Sequence, residues 1–200
     1  MKPYVITIAR QYGSGGKTVG KMLADKLGIP FYNREIITMA SEDSGVNAML
    51  FSDERLKGDF LTRLRAHYHG NTPVPNDSSK SYLKDEALFA YQVKIIRRLA
   101  DQGPCVMIGR CADYALADNP NLLSIFIHAP MDVRIARVAK RQNLTPEKAR
   151  QLILKTDKRR ASYYEYYSSQ KWGAVESYDF CLDSNYLGLG GTVELIQTMV

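Results

Sequence analysis

The chain has 200 residues, of which 45% are hydrophobic and 24% charged, and a formal net charge of +6. These values fit one globular domain with a sizeable core and exclude a disordered or collagen-like chain. The positive balance favours anionic partners such as nucleotides, nucleic acid or an acidic surface, although an ordinary basic protein carries the same charge.

Apolar β-type runs alternate with helical patterns, which predicts a parallel sheet covered on both faces. The first strand is "YVITIA" (4–9). A helix follows over 16–27, with Val19, Met22, Leu23 and Leu27 at helical spacing and a stop at Gly28. A short strand at "PFYN" (30–33) leads to a second helix from about Asn33. The segment 69–80, rich in Pro, Asn and Ser, reads as a surface loop. A long helix over 80–101 places Leu88, Tyr91, Ile95 and Leu99 on one face and ends before Gly103-Pro104. "CVMIG" (105–109) and "LLSIFIH" (122–128) are the third and fourth strands. A basic helix spans Met131 to Gln142, and another opens at Thr145 (N-cap) and Pro146 and runs towards Ser168. "YDFCLD" (178–183) is the last strand, and "TVELIQTMV" the last short helix.

Three cysteines, Cys105, Cys111 and Cys181, are an odd number without close pairing. They argue against a disulfide scaffold or a zinc site and for a reducing compartment. His67 and His69 lack a nearby third ligand and read as a surface pair. No stretch approaches the ~18–20 apolar residues of a membrane span, and "MKPYVITIARQYG" does not read as a signal peptide. A cytoplasmic protein is expected.

The chemistry concentrates in "ARQYGSGGKTVG" (9–20), between the first strand and the first helix. Gly-Lys-Thr at 16–18 is that of a phosphate-binding loop, but Gln11 stands where such loops carry their first glycine. Gly13, Gly15 and Gly16, with Ser14 among them, let successive N–H groups converge on an anion, and the helix points its positive end at the same place. Lys17 is then the ligand of the β- and γ-phosphates of ATP, and the Thr18 hydroxyl the holder of Mg²⁺. A glycine-rich connection with no ligand is the alternative.

"ITIARQYGSGGKTVGKMLADKLGIPFYNRE", "VMIGRCADYAL" and "YDFCLDSNYLG" together resemble the cytidylate kinase-like family of phosphate-loop proteins, over nearly the whole chain. In that family the loop characteristically reads "YGSGG" without the first glycine. The resemblance implies an α/β, three-layer P-loop NTPase fold: five parallel strands, a helical acceptor-binding insertion within 34–104, and an Arg-rich lid within 134–160. It implies that Arg110, after Gly109, faces the acceptor nucleotide, and that Asp183, before Ser184, binds an acceptor ribose. A strand-capping surface Arg and a turn-forming Asp are the plainer readings of those two residues. Arg134 matches the lid-root arginine of cytidylate kinases. Arg159 and Arg160, in "DKRR", are the other arginines expected to neutralise the transferred group.

The chain departs from the family in three places. "YNREIITMASEDSG" replaces the acceptor motif after the second strand, so Asn33, Arg34 and Glu35 are expected to take over, with Arg34 on a phosphate. The third strand lacks a terminal Asp, for which Asp113 is a possible stand-in as a metal anchor. "YYEYY" (163–167) follows the lid; its rings are expected to pack in the core rather than stack on a base. The expected activity is transfer of the γ-phosphoryl group of Mg²⁺-ATP to a nucleoside monophosphate, most simply CMP or dCMP. A nucleotide-binding regulatory module without turnover and a kinase for another small molecule are the rivals. No nucleic-acid or membrane partner is expected.

Overall fold

The computed structural model describes residues 4–45, 48–51 and 78–200. In chain order the elements are β1 (Val5–Arg10), α1 (Gly16–Leu27), β2 (Phe31–Tyr32), α2 (Glu35–Ser44), a 3₁₀ turn (Ala48–Phe51), α3 (Ser78–Asp101), β3 (Cys105–Ile108) and α4 (Ala112–Ala115). Then come β4 (Leu122–His128), α5 (Met131–Gln142), α6 (Pro146–Ser168), a 3₁₀ turn (Val175–Ser177), β5 (Phe180–Asp183) and α7 (Gly188–Gln197).

The five strands form one parallel sheet in the order β2-β3-β1-β4-β5. Val5 is level with Cys105 on one side and Leu122 on the other. β1 is buried along its first five residues because both its faces are covered. Ile6 and Ile8 pack with Val19, Leu23 and Ala24 of α1 and Val193 and Ile196 of α7. Val5 packs with Leu88, Ile95, Ile96 and Leu99 of α3, while Ala9 joins the aromatic side chains of α6. Each fully buried aliphatic side chain contributes roughly 1.5–3 kcal/mol.

The elements agree with the sequence pattern except at edges. The last strand starts at Phe180 rather than Tyr178, because the Asp179 carboxylate accepts from both N–H and O–H of Ser124, at 2.8 Å each, and displaces a regular ladder there. α2 starts at Glu35, whose carboxylate takes the Asn33 N–H at 2.7 Å. α7 begins four residues before "TVELIQ", through a stretch whose three glycines masked its helical character. α4 follows a tight turn and is too short to leave a periodic signal. Residues 78–80 belong to α3; the rest of the expected 69–80 loop, with His67 and His69, lies outside the described residues. None of the three cysteines is in a disulfide. Tyr163 and Tyr164 are buried with Tyr178 and Phe126, and Tyr167 stacks on Phe89 at 4.0 Å, so this aromatic run is core. No helix among the described residues is long and apolar enough to cross a membrane.

Chain connectivity sets the place of the site. β1 and β3 are neighbours, but the chain leaves β1 towards β2 and leaves β3 towards β4. Their carboxyl ends therefore part and open a crevice, the usual ligand position in such sheets.

Candidate active site

The loop 11–15 crosses this crevice. Gly13 and Gly15 have φ of +84° and +85°, a region side chains disfavour. Their neighbours also leave no room: a β-carbon on Gly13 would lie 2.9 Å from Val138 Cγ2 on α5, and one on Gly15 2.5 Å from Leu189 Cδ2 on α7. Gln11 is absent from the left-handed residues, so no glycine is required there. Its side chain is used instead, its Oε1 accepting the Ala129 N–H at 3.3 Å just beyond β4. Ser14, fully buried, donates through Oγ to the Gln11 carbonyl at 2.9 Å and closes the turn. Arg137 donates to the Ser14 carbonyl at 3.0 Å, and the Ser184 hydroxyl donates to the same oxygen.

Lys17 and Thr18, in the first turn of α1, are exposed at the mouth of the crevice. Glu35 lies on the β2 side. Its carboxyl is held below the ordinary range first by its own backbone N–H and those of Asn33 and Arg34, with a further contribution from the Lys17 charge. Arg34 is exposed at the head of α2.

The exit of β3 is unusual. Gly109, Arg110 and Cys111 have φ of +67°, +64° and +52° in succession. Two consecutive non-glycine residues there cost of order 1–3 kcal/mol each, a cost more often met at ligand sites than elsewhere. The turn aims Arg110 at the insertion, where its guanidinium donates to the Phe51 carbonyl at 3.1 Å. It also leaves Gly109 bare, and Arg10 fills the space: a β-carbon on Gly109 would lie 2.1 Å from Arg10 Nη1. Arg10 is thus a cation at the crevice that sequence reading missed, because at the end of a buried strand it looked like a terminator.

The basic arm is two packed helices, α5 and α6, joined by a three-residue turn. Arg134 is buried and does not extend over the loop. Its Nη1 lies 2.5 Å from Asp157 Oδ2 and 3.4 Å from the Tyr12 carbonyl. Asp157 also accepts the Tyr12 N–H at 2.7 Å. Burial raises the Asp157 carboxyl, and the Tyr12 N–H and the Arg134 and Arg160 guanidiniums pull it back. Arg160 donates to the Arg10 carbonyl at 2.9 Å, while Arg159, one position earlier on α6, is half-buried about 100° round the helix.

The two aspartates, Asp183 and Asp113, have different surroundings. Asp183 ends β5, three strands from β3, whereas Arg110 follows β3 and Arg34 follows β2 on the other side of β1. At about 4.8 Å per strand it stands roughly 14 Å from the Arg110 side. Its carboxylate accepts the Asn185 N–H at 2.8 Å, as a turn-forming Asp does. Asp113 does not face the loop. It is 8% exposed on α4 and accepts the Tyr164 hydroxyl at 2.7 Å.

Burial raises the Asp113 carboxyl, and the Tyr164 hydroxyl only partly opposes it. A raised folded pKa means that above the ordinary carboxylate value of about 3.9 unfolding releases a proton, so stability falls as pH rises until the folded group ionises too. Asp113→Asn keeps an acceptor for Tyr164 and removes this titration. Its melting temperature should match wild type near pH 4 and exceed it increasingly towards neutral pH. A gap that does not vary with pH would contradict this account.

Among the described residues no three His, Cys, Asp or Glu side chains group as a metal cage. A model of the cytidylate kinase-like family matches residues 5–186. A cytidylate kinase of Methanopyrus kandleri is 25% identical over 205 residues, covering 98% of this chain and 92% of its own. The crystal structure of an uncharacterized protein from Eubacterium ventriosum has a TM-score of 0.71 at 27% identity, covering 98% of this chain and 97% of its own. Shikimate kinase from Bacteroides thetaiotaomicron is alike in fold alone, with a TM-score of 0.53 at 15% identity over 98% and 97% of the two chains. The architecture is that of the P-loop kinases.

Proposed function

The chain belongs to the cytidylate kinase-like family, and from that premise we propose that it moves the γ-phosphoryl group of ATP to a nucleoside monophosphate of the CMP or dCMP type. The observation that carries the reading is the exposure of Lys17 and Thr18 between two sets of arginines. Arg34, Arg110 and Arg10 lie towards β2 and β3, and Arg137 and Arg160 approach from the arm. Two phosphorylated ligands meeting at Lys17 need this arrangement, because charge spreads over the transferred group in the transition state.

The loop N–H groups of Gly13, Gly15, Lys17 and Thr18 and the Lys17 amino group hold the donor. The donor set fits Mg²⁺, which binds through few protein ligands together with phosphates and water; Thr18 supplies the hydroxyl, and Glu35 is a carboxylate on the acceptor side within the influence of the Lys17 charge. When bound, Mg²⁺ neutralises phosphate charge. Arg34 and Arg110, from the insertion side, hold the acceptor phosphate. An ionised phosphate acceptor needs no general base. Arg160 is the arm residue placed nearest the loop's origin, and Arg134 acts through Asp157.

Mg²⁺-ATP with CMP, dCMP, UMP, AMP or GMP in turn, followed by ADP release, tests this. Turnover is expected with CMP or dCMP. Arg110→Ala should raise the acceptor KM at least about tenfold, the worth of one charge-assisted hydrogen bond, and leave ATP affinity within about twofold. ATP binding without turnover on any acceptor would leave only a nucleotide-binding module. One observation favours a second reading: the ionised Glu35 beside Lys17 could take a proton from a hydroxyl acceptor. Glu35→Gln would then abolish turnover, whereas a phosphate acceptor would tolerate it.

A further inference from the structure

Tyr12, the second residue of the phosphate loop, is gripped by the arm at every group it offers. Its N–H is taken by Asp157 Oδ1 at 2.7 Å, and its carbonyl by Arg134 at 3.4 Å. Its hydroxyl accepts the amide of Gln142 at the end of α5. Two guanidinium carbons lie over its ring, that of Arg141 on α5 at 5.2 Å and that of Arg160 on α6 at 5.4 Å. The ring also packs with Val138, Ala149 and Ile153, the apolar seam between the two helices. Arg134 and Arg160 both reach Asp157, at 2.5 and 3.9 Å. One carboxylate and one tyrosine thus bind both helices of the arm to a single residue of the loop.

We propose that Tyr12 is a positioning residue: it seats the basic arm on the outer half of the phosphate loop, so that Arg137 and Arg160 stand at the loop before nucleotide arrives. This role rests on the loop being the donor site. Its physical basis is preorganisation. An arm already docked loses little freedom on binding ATP, and an undocked arm must be ordered out of the binding free energy. The loop's inner half, Gly15 to Thr18, stays clear of the arm's grip on Tyr12, so phosphate N–H donors are not consumed by it.

Tyr12→Leu keeps the apolar packing and removes the ring face and the hydroxyl. Mg²⁺-ATP affinity is read by calorimetry and arm docking by the rate of tryptic cleavage within 134–160 without nucleotide, beside the melting temperature. Each cation–π contact is worth a factor of about 2–5, so the dissociation constant should rise about tenfold. Arm cleavage should accelerate by a similar factor, with the melting midpoint moving by only a few degrees. Tyr12→Phe, which keeps the ring and loses only an exposed hydroxyl contact, should restore both readouts to within about twofold of wild type. Lys17→Ala should lose ATP binding with unchanged tryptic rates. A Tyr12→Leu protein with wild-type affinity and cleavage, or a Tyr12→Phe protein as impaired as Tyr12→Leu, would overturn the assignment. Wild-type protein that bound no Mg²⁺-ATP would instead sink the donor-site reading, and the tryptic rates would still decide whether Tyr12 seats the arm.

Discussion

Lys17→Ala is expected to lower turnover with Mg²⁺-ATP by about 10²–10³-fold, the loss typical of removing one preorganised donor from a developing charge. The reason is local. Lys17 is exposed on the first turn of α1, where the helix's positive end and the loop N–H groups already favour an anion. Three of the five arginines around it are engaged: Arg137 by the Ser14 carbonyl, Arg160 by the Arg10 carbonyl and Arg110 by the Phe51 carbonyl. None is placed to substitute without giving up its bond. The fold should be unaffected, because an exposed side chain contributes little to stability. Turnover within tenfold of wild type, with the same thermal midpoint, would remove Lys17 from the reaction.

Gly16→Ala is expected to cost both stability and nucleotide binding. A β-carbon there would lie 2.6 Å from Arg10 Cβ and 3.3 Å from Ile127 Cβ. Both atoms are attached directly to the backbone of central strands, so neither can rotate away. Overpacking of this kind costs about 1–3 kcal/mol. At roughly 2–4 °C per kcal/mol for a chain of this size, the midpoint should fall by about 2–12 °C. Relief requires the start of α1 to move, and Lys17 and Thr18 with it, so Mg²⁺-ATP affinity should drop at least about tenfold. Gly28→Ala is the control: φ is +66° at the end of the same helix, but nothing lies within 4 Å. It should show only the left-handed cost of about 1 kcal/mol and unchanged nucleotide binding. Equal effects at the two positions would mean that small shifts absorb the contact at Gly16, whose own φ is not left-handed.

What could be read from sequence was whatever is encoded locally. α1 and α5 run Gly16–Leu27 and Met131–Gln142, as their periodicity requires, and Thr145 caps α6 by accepting the Lys148 N–H. The loop was legible because its glycines, lysine and threonine are contiguous. Missing from that reading was everything decided by what comes close in space. That Asp183 stands at the sheet edge beyond β4, with Arg110 on the other side of β1, follows from the strand order and not from the sequence. Asp113 followed Arg110 closely in sequence, but a left-handed turn and a four-residue helix carry it into the aromatic core. Arg134 was expected to neutralise the transferred group, and nothing in the chain announces that Asp157, 23 residues on, bonds it. Gln11 looked like a defect because only the fold reveals that its amide closes the end of β4.

The grip on Tyr12 also bears on how the protein is made. Asp157 leaves the ribosome 145 residues after Tyr12. At 5–20 residues per second that interval is roughly 7–30 s. β1 waits too, since its partners β3 and β4 lie at 105–128. The loop and α1, although made before the arm, therefore cannot reach working form until Asp157 has been made. Nascent chains stopped before Asp157 would carry the complete phosphate-binding sequence without the carboxylate that docks the arm on it, so nucleotide cannot assist folding until α6 has been translated that far.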